Sequence, residues 1–409
     1  MTDAANPSSV DEAVQRNPLL LARRLLEGST VYRDPVTGLP CVGRYRTISE
    51  ILADPGTYSS RNPMIFSRTC SPIVDEVHAS LKARGFLPVD TLVTNDPPSH
   101  RDYRRIVERI FSPAVVRRLE NDIRSIAAEL LDETIAAERA DWMKSLALKL
   151  PIFFILAQLG VSRDDFEKVK YWADISIERI SPVIPPERER VLTEAVIEMQ
   201  QYIWKHAQHA KATQAETLLG LLARASEGDN GLTPEELVNM ATQIFVAGHE
   251  TSTALIGHAT LTLIEQPELR TKLIAEPDLI PAYVEEVLRL HPPVGGLRIA
   301  TRDVSIDGEE IKAGEMIALN FMAANRDPEI FENPDAVNLS RANSSQHLSF
   351  GKGIHYCIGN MVARLEARVA IEGLLARAPD FQLDEQAPQP RYAAVYHAHV
   401  LERLPIRFA

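Results

Sequence analysis

The sequence predicts a mainly α-helical protein with small β-sheets. Three observations predict it: one helical pattern of about 32 residues, a helical reading over most of the remainder, and strand-like runs confined to three short regions. The long pattern opens at Thr233-Pro234-Glu235-Glu236, a capping box with proline at the first helical position. It runs to Gln266, where Pro267 stops it. Such a helix spans roughly 48 Å, long for a globular protein. Its middle, Ile244-Phe245-Val246-Ala247-Gly248, is apolar all round, so it is expected to be buried and to form a wall of any cofactor cavity.

The strand-like runs lie near 30–44, near 298–319 and at the C-terminus, with Asp307-Gly308 as a hairpin turn. A chain of 409 residues buries a large core in one big domain or two ordinary ones. No repeat, low-complexity tract or linker divides it, so a single domain over 1–409 is expected, with about the first 20 residues flexible. Hydrophobic residues make up 45% and charged residues 24%, a globular balance.

No window approaches the roughly 20 apolar residues that span a bilayer. The polar N-terminus carries no export signal, so a cytoplasmic monomer without a membrane anchor is expected. Three cysteines (Cys41, Cys70, Cys357) are too few for a disulfide framework. The net charge of −12 argues against nucleic acid as partner. Positive charge nevertheless gathers at Arg101, Arg104, Arg105, Arg109, Arg117 and Arg118, and again at Arg364 and Arg368.

The most informative run is Phe350-Gly351-Lys352-Gly353-Ile354-His355-Tyr356-Cys357-Ile358-Gly359. It sets one cysteine on a glycine-bent loop before a helical stretch from about Ile358 to Ala376. Glycine permits positive φ and close backbone approach, as a flat cofactor requires. The following helix directs its positive dipole end at the sulfur and favours thiolate. A lone cysteine on a glycine-rich turn is otherwise a buried structural residue. Inside the long helix, Ala247-Gly248-His249-Glu250-Thr251 holds polar groups in an apolar stretch. Thr251 either bonds back to the Ala247 carbonyl and bends the helix, or pairs with Glu250 to move protons beside a glycine-thinned spot.

The cysteine run resembles the haem-binding loop of the cytochrome P-450 family at Phe350, Gly351, Gly353, His355, Cys357 and Gly359. The Ala-Gly-x-Glu-Thr run is similar to the family's motif above the distal haem face. Glu286 and Arg289, three apart before His291-Pro292-Pro293, resemble the family's buried structural brace, with Arg341 as third partner. Asn338 stands where many relatives carry aspartate. Asp96-Pro97-Pro98-Ser99-His100 resembles the segment whose histidine and arginine, here His100 and Arg104, hold haem propionates. Arg298 and His355 resemble further propionate contacts.

The resemblance covers about residues 30–405 in family order. It implies a cytochrome P-450 fold with haem b lying between the long helix and the cysteine-bearing loop and helix. Cys357 is then the axial thiolate, and Phe350, Gly351, Gly359 and Ala247 adjoin the cofactor. Gly248, Glu250 and Thr251 are the catalytic set. The implied activity is haem-thiolate monooxygenation, one oxygen atom from O2 entering a hydrophobic small molecule such as a terpenoid or steroid. Electrons are expected from an external iron–sulfur ferredoxin with its NAD(P)H reductase, or from a flavodoxin, docked on the arginine-rich surface.

A peroxide-driven peroxygenase and a haem-thiolate gas sensor or carrier are the alternatives. By family topology the substrate pocket is lined by residues near 63–93 and 175–184, by Met240, Ile244 and Ala247, by Val294, Gly295, Gly296 and Leu297, and by Val395 in a roof at 394–397. Gly295-Gly296 suggests a roomy cavity. His206 and His209 read as a hydrated helix face rather than a metal site.

Overall fold

The computed structural model describes residues 6–62, 69, 71–180, 184–225, 231–394 and 398–408. The helices are α1 (Glu12–Arg16), α2 (Leu19–Glu27), α3 (Tyr45–Ala53), α4 (Val74–Arg84), α5 (His100–Ile110), α6 (Pro113–Ala136), α7 (Lys149–Leu159), α8 (Phe166–Glu178), α9 (Pro186–Ala212), α10 (Leu218–Arg224), α11 (Pro234–Glu265), α12 (Pro267–Ala275), α13 (Ile280–Leu290), α14 (Phe321–Ala324) and α15 (Asn360–Arg377). The strands are β1 (Val31–Arg33), β2 (Pro40–Val42), β3 (Tyr58–Ser59), β4 (Arg139–Asp141), β5 (Gly296–Ala300), β6 (Val304–Ile306), β7 (Glu309–Ile311), β8 (Met316–Leu319), β9 (Gln382–Leu383), β10 (Arg391–Tyr392), β11 (Leu401–Arg403) and β12 (Pro405–Arg407). No helix among the described residues is long and apolar enough to cross a membrane.

Two compact units emerge. The first comprises Met1–Ser59, Val116–Pro151 and Glu250–Ala409, the second Ser60–Val115 and Ile152–His249. All the strands belong to the first unit. Its main sheet has the order β1-β2-β8-β5-β3. β5 and β8 pair antiparallel with Arg298 opposite Ile317, whereas β2 and β8 pair parallel. Val42, Ile48, Ile51, Ala300, Ile317 and Leu319 fill the core beneath the sheet. The β6–β7 hairpin turns at Asp307 and Gly308, whose φ values of 48° and 86° suit a tight hairpin.

The N-terminal segment, expected to be flexible over about 1–20, is instead built into the fold from Ser8 onward. Ser8 is 1% exposed, and its hydroxyl donates to Asp34 Oδ1 at 2.6 Å. Burial alone would raise Asp34, but donors from Ser8, Thr37 and Ser9 hold it down at about 2. Local polarity concealed this, because the partner lies 26 residues away.

Glu286, Arg289 and Arg341 meet inside the first unit. Glu286 and Arg289 are both wholly buried and joined by a two-point pair at 2.8 and 3.0 Å. Arg341 Nε donates to both Glu286 oxygens at 3.0 and 3.1 Å, and the Asn338 amide adds a donor at 2.8 Å. The remaining guanidinium protons reach carbonyls: Arg289 those of Asn325, Pro334 and Ala336, Arg341 those of Glu332, Asn333 and Ala336. Asn338 contributes through its backbone, so asparagine serves at that position.

In the second unit, α9 packs against α4, α8 and α10. Polar side chains of α9 and α11 satisfy the extended backbone between α4 and α5. Gln200 bonds both the amide and the carbonyl of Phe86, Asn239 reaches the Leu87 carbonyl, and Gln243 accepts from the Val93 amide. The expected capping box of α11 is present, with Thr233 N bonding Glu236 Oε2 at 2.8 Å and Glu236 N bonding Thr233 Oγ1 at 3.2 Å.

Removing one member of the buried brace leaves uncompensated charge, a loss of about 3–5 kcal/mol. Glu286→Ala is therefore expected to lower the urea midpoint steeply. Arg105→Ala, which removes an exposed pair with Asp102, is expected to cost less than about 1 kcal/mol in the same measurement.

Candidate cofactor-binding site

The cysteine loop leaves the core at Phe350 and turns through two glycines in the left-handed region, Gly351 at φ 66° and Gly353 at φ 73°. At Gly353 the need is also steric, since a Cβ there would lie 2.6 Å from the Leu52 carbonyl oxygen. A short 3-10 turn, Gly353–His355, follows. Cys357 N then donates back to Phe350 O at 2.9 Å, closing the loop. Asn360 Nδ2 holds the Cys357 carbonyl at 2.7 Å and starts α15. A Cβ on Gly359 would meet no atom within 4 Å. A half-buried sulfur, glycine clearance and open space one residue past Ile358 fit a flat iron porphyrin with a thiolate ligand. The start of α15 three residues after Cys357 favours negative charge on that sulfur.

The loop is tied to the brace. Arg289 Nη1 donates to Asn325 O, and the Asn325 side chain accepts from Leu348 N at 2.7 Å and donates to Ser349 Oγ at 2.9 Å. Ser349 Oγ donates to Leu288 O. The Phe350 ring lies 4.4 Å beneath the Arg364 guanidinium, which grips Glu285 at 2.6 and 3.1 Å. Burial alone would raise Glu285, yet His347 and Arg364 hold it at about 2.

α11 carries the candidate distal residues. Its middle was expected to be buried all round, but Ala247 is exposed and Ile244, Gly248, Glu250 and Thr251 are partly accessible, while Phe245, Val246 and His249 are buried. Ile244, Ala247, Gly248 and Thr251 recur at i, i+3, i+4 and i+7, one stripe of the helix, with Glu250 at its flank. A Cβ on Gly248 would come 3.1 Å from Ile155 Cδ1, so this glycine also admits α7. His249 stacks on Phe245, and burial pulls it down to about 4, leaving it neutral.

The anion-clamp candidates fall on two units. In the second, His100 and Arg104 stand one turn apart on α5. His100 is buried, and burial together with the Arg104 charge lowers its proton affinity. Arg104 Nε bonds Glu108 at 2.9 Å. In the first, Arg298 sits on β5 with Nη1 on its neighbour's carbonyl, and His355 ends the 3-10 turn.

Two substrate-wall expectations need correction. Gly295 and Gly296 do not open a roomy cavity. A Cβ on Gly295 would lie 2.9 Å from the Leu319 oxygen, and one on Gly296 2.9 Å from Phe321 Cζ. The glycines permit tight packing against β8 and α14. Met240 is fully buried rather than lining a wall.

Among the described residues of the second unit a crevice of about 40 Å3, room for roughly three waters, lies among Leu81, Ile180, Met199, Asn239, Thr242 and Val246. It uses a different face of α11 from Met240 and Ile244. Val294 and Leu297 are accessible at the start of β5. Val395 lies outside the described residues.

Glu366 was not anticipated. It is wholly buried on α15 near Ser252 of α11, and neither carboxyl oxygen has a hydrogen-bond partner of good geometry among the described residues. Burial pushes it up to about 8. A signal existed: Glu366 falls on the apolar stripe of Val362, Leu365 and Val369.

The family model Cytochrome P450 matches residues 177–395. Polyketide biosynthesis cytochrome P450 PksS of Bacillus subtilis (strain 168) is 34% identical over 320 residues, spanning 78% of this chain and 77% of that protein. The vitamin D(3) 25-hydroxylase of Pseudonocardia autotrophica is 33% identical over 322 residues, 78% of each chain. The solved structure of cytochrome P450 CREJ in complex with (4-ethylphenyl) dihydrogen phosphate superposes with a TM-score of 0.88 at 30% identity, covering 96% of this chain and 97% of that one.

Two glycine variants separate strain from cofactor clearance. Gly353→Ala forces a left-handed alanine against backbone and is expected to destabilise the protein by about 1–3 kcal/mol. Gly359→Ala meets no protein atom, so the apoprotein should keep its stability within about 0.5 kcal/mol while haem retention on gel filtration falls. Glu366 has a raised carboxyl, so its contribution is intact below its ordinary value of 4.5 and is lost as pH rises through about 8. Wild type should therefore lose stability across that window relative to Glu366→Gln, read by urea unfolding at a series of pH values.

Proposed function

This chain belongs to the cytochrome P450 family, and on that premise we propose that it is a haem-thiolate monooxygenase acting on an apolar metabolite, supplied with electrons by a separate ferredoxin. The carrying observation is the Cys357 loop, closed on Phe350, bent through Gly351 and Gly353, and opened beside Gly359. Haem, when bound, supplies oxygen activation and electron uptake. Cys357 would ligate it, with the α15 dipole favouring the anionic form of the sulfur and Asn360 holding the Cys357 carbonyl in place.

On α11, Glu250 would relay protons from solvent and Thr251 would hold and donate one at its hydroxyl. Ile244 and Ala247, apolar and on the same stripe, would exclude water there. Arg104 and Arg298 would supply the cations that two buried propionates demand, and His100 and His355 would offer them ring hydrogen-bond donors. We propose in addition that the two units act as one catalytic domain.

An apolar, steroid- or polyketide-sized substrate is favoured by the names of the relatives and by the apolar stripe on α11. The donor surface is supported by Lys352, Ile354 and Tyr356, exposed around Cys357. Arg101, Arg109, Arg117 and Arg118 are also exposed. Arg364 and Arg368 contribute less, being paired with Glu285 and Glu120.

Three measurements test this reading. The reduced carbon monoxide complex should show the red-shifted thiolate band, lost in Cys357→His; its absence in wild type sinks the assignment. Thr251→Ala should keep consuming reductant while product drops by about tenfold to a hundredfold and hydrogen peroxide accumulates; a gas sensor or carrier would be indifferent to this change. With limiting ferredoxin, reduction should slow as salt rises and screening shortens the attraction, and Lys352→Glu should slow it further at low salt. A rate indifferent to salt removes the acidic-donor proposal.

A further inference from the structure

Apart from the cysteine loop, the first unit gathers three histidines from distant parts of the chain. His258 comes from α11, His291 from the end of α13, and His399 from the segment before β11. One ring nitrogen of each lies within 4.8 Å of the other two. Their ring centroids stand 4.6, 4.3 and 5.8 Å apart. His258 and His399 are buried, and His291 is half-buried.

Three ring nitrogens, His258 Nε2, His291 Nδ1 and His399 Nδ1, are buried without a hydrogen-bond partner among the described residues. Each such group costs about 1–3 kcal/mol if nothing satisfies it. Three in one place call for a shared partner.

We propose that His258, His291 and His399 form a binding site for a borderline divalent transition-metal ion of the zinc class. The tautomer of His258 is suited to it. Nδ1 lies 2.7 Å from the Ala254 carbonyl, so that bond takes the Nδ1 proton and leaves Nε2 with its lone pair. A carbonyl behind a ligating imidazole is the usual outer support of such sites. The other two rings are held through their backbones, His291 N on Val287 O and His399 N on Pro293 O, both at 2.8 Å. Tyr392 stacks on His399 at 4.7 Å and fixes its plane.

The donor set selects the metal. Imidazole nitrogens without a carboxylate suit zinc and its neighbours and exclude calcium and magnesium, which require oxygen ligands. Metal–nitrogen bonds of about 2.0–2.1 Å in a tetrahedron require nitrogens 4.8 Å apart to close by about 1.5 Å. Of the three residues, His291 is the one that solvent partly reaches.

The nearby positive charges are already engaged. Arg326 bonds Asp335 at 2.9 Å and the Leu290 carbonyl, and Arg289 is held by Glu286. Bound there, the ion would pin the C-terminal strands to α11 and to the end of α13. The site is independent of the haem chemistry.

The test uses haem-loaded protein, in which Cys357 is occupied. The protein is stripped with chelator, desalted, incubated with zinc chloride and passed over gel filtration, with zinc and iron counted by mass spectrometry. One zinc per chain beside one iron is expected, with a melting temperature that rises with free zinc. His291→Asn and His399→Gln, each keeping the reduced carbon monoxide band, should lose the zinc and the shift. The double variant His206→Gln, His209→Gln, which removes the histidine pair of α9, should retain both. Wild type without bound zinc overturns the site, whatever the variants do. Zinc kept by both cluster variants, or lost with the α9 pair, places the ion elsewhere and overturns it equally.

Discussion

The ion triad of Glu286, Arg289 and Arg341 is the constraint on which the cysteine loop depends. Its members lie 55 residues apart at the extremes, in surroundings that exclude water. A buried carboxylate facing two guanidinium groups is tolerable only when nearly every donor finds an acceptor. The carbonyls between Asn325 and Ala336 supply those acceptors, so that irregular segment is held in one conformation. Asn325 passes the restraint onward through its side chain, fixing Leu348 and Ser349 just where the chain departs for Cys357. The triad thus acts less as a source of stability than as a jig that sets where the sulfur stands.

Glycine does several distinct jobs around that frame. At Gly351 and Gly353 it supplies backbone angles that a Cβ resists, and at Gly353 it also clears the Leu52 carbonyl. At Gly359 it leaves space that no protein atom fills. At Gly295 and Gly296 it closes space instead, letting β5 settle on Leu319 and Phe321. A glycine in sequence therefore signals close approach without saying what approaches.

The long helix divides its surface by function. Most of it is buried, but the stripe through Ile244, Ala247, Gly248 and Thr251 remains accessible, and that stripe holds Gly248 and Thr251, two of the residues proposed for oxygen chemistry. Polar side chains on other faces, Asn239 and Gln243 among them, satisfy loop backbone. Glu366 adds a carboxyl kept protonated by burial next to the same helix. A mean apolar character describes the helix but not this partition, which depends on what stands against each face.

By itself the sequence determined the helical class, the bounds of α11, the hairpin at Asp307-Gly308 and the glycine-bent cysteine loop. Each is written within a few residues: capping boxes, turn dipeptides and glycines requiring positive φ act locally, and the spacing of Glu286 from Arg289 is a single helical turn. The anchoring of Ser8 on Asp34, the packed surroundings of Gly295 and Gly296, the burial of Glu366 and the meeting of His258, His291 and His399 were decided by tertiary structure. They join residues from 24 to 141 positions apart, or turn on whether a given face is covered. Desolvation and orphaned ring nitrogens are properties of an environment, and an environment exists only once distant segments have packed.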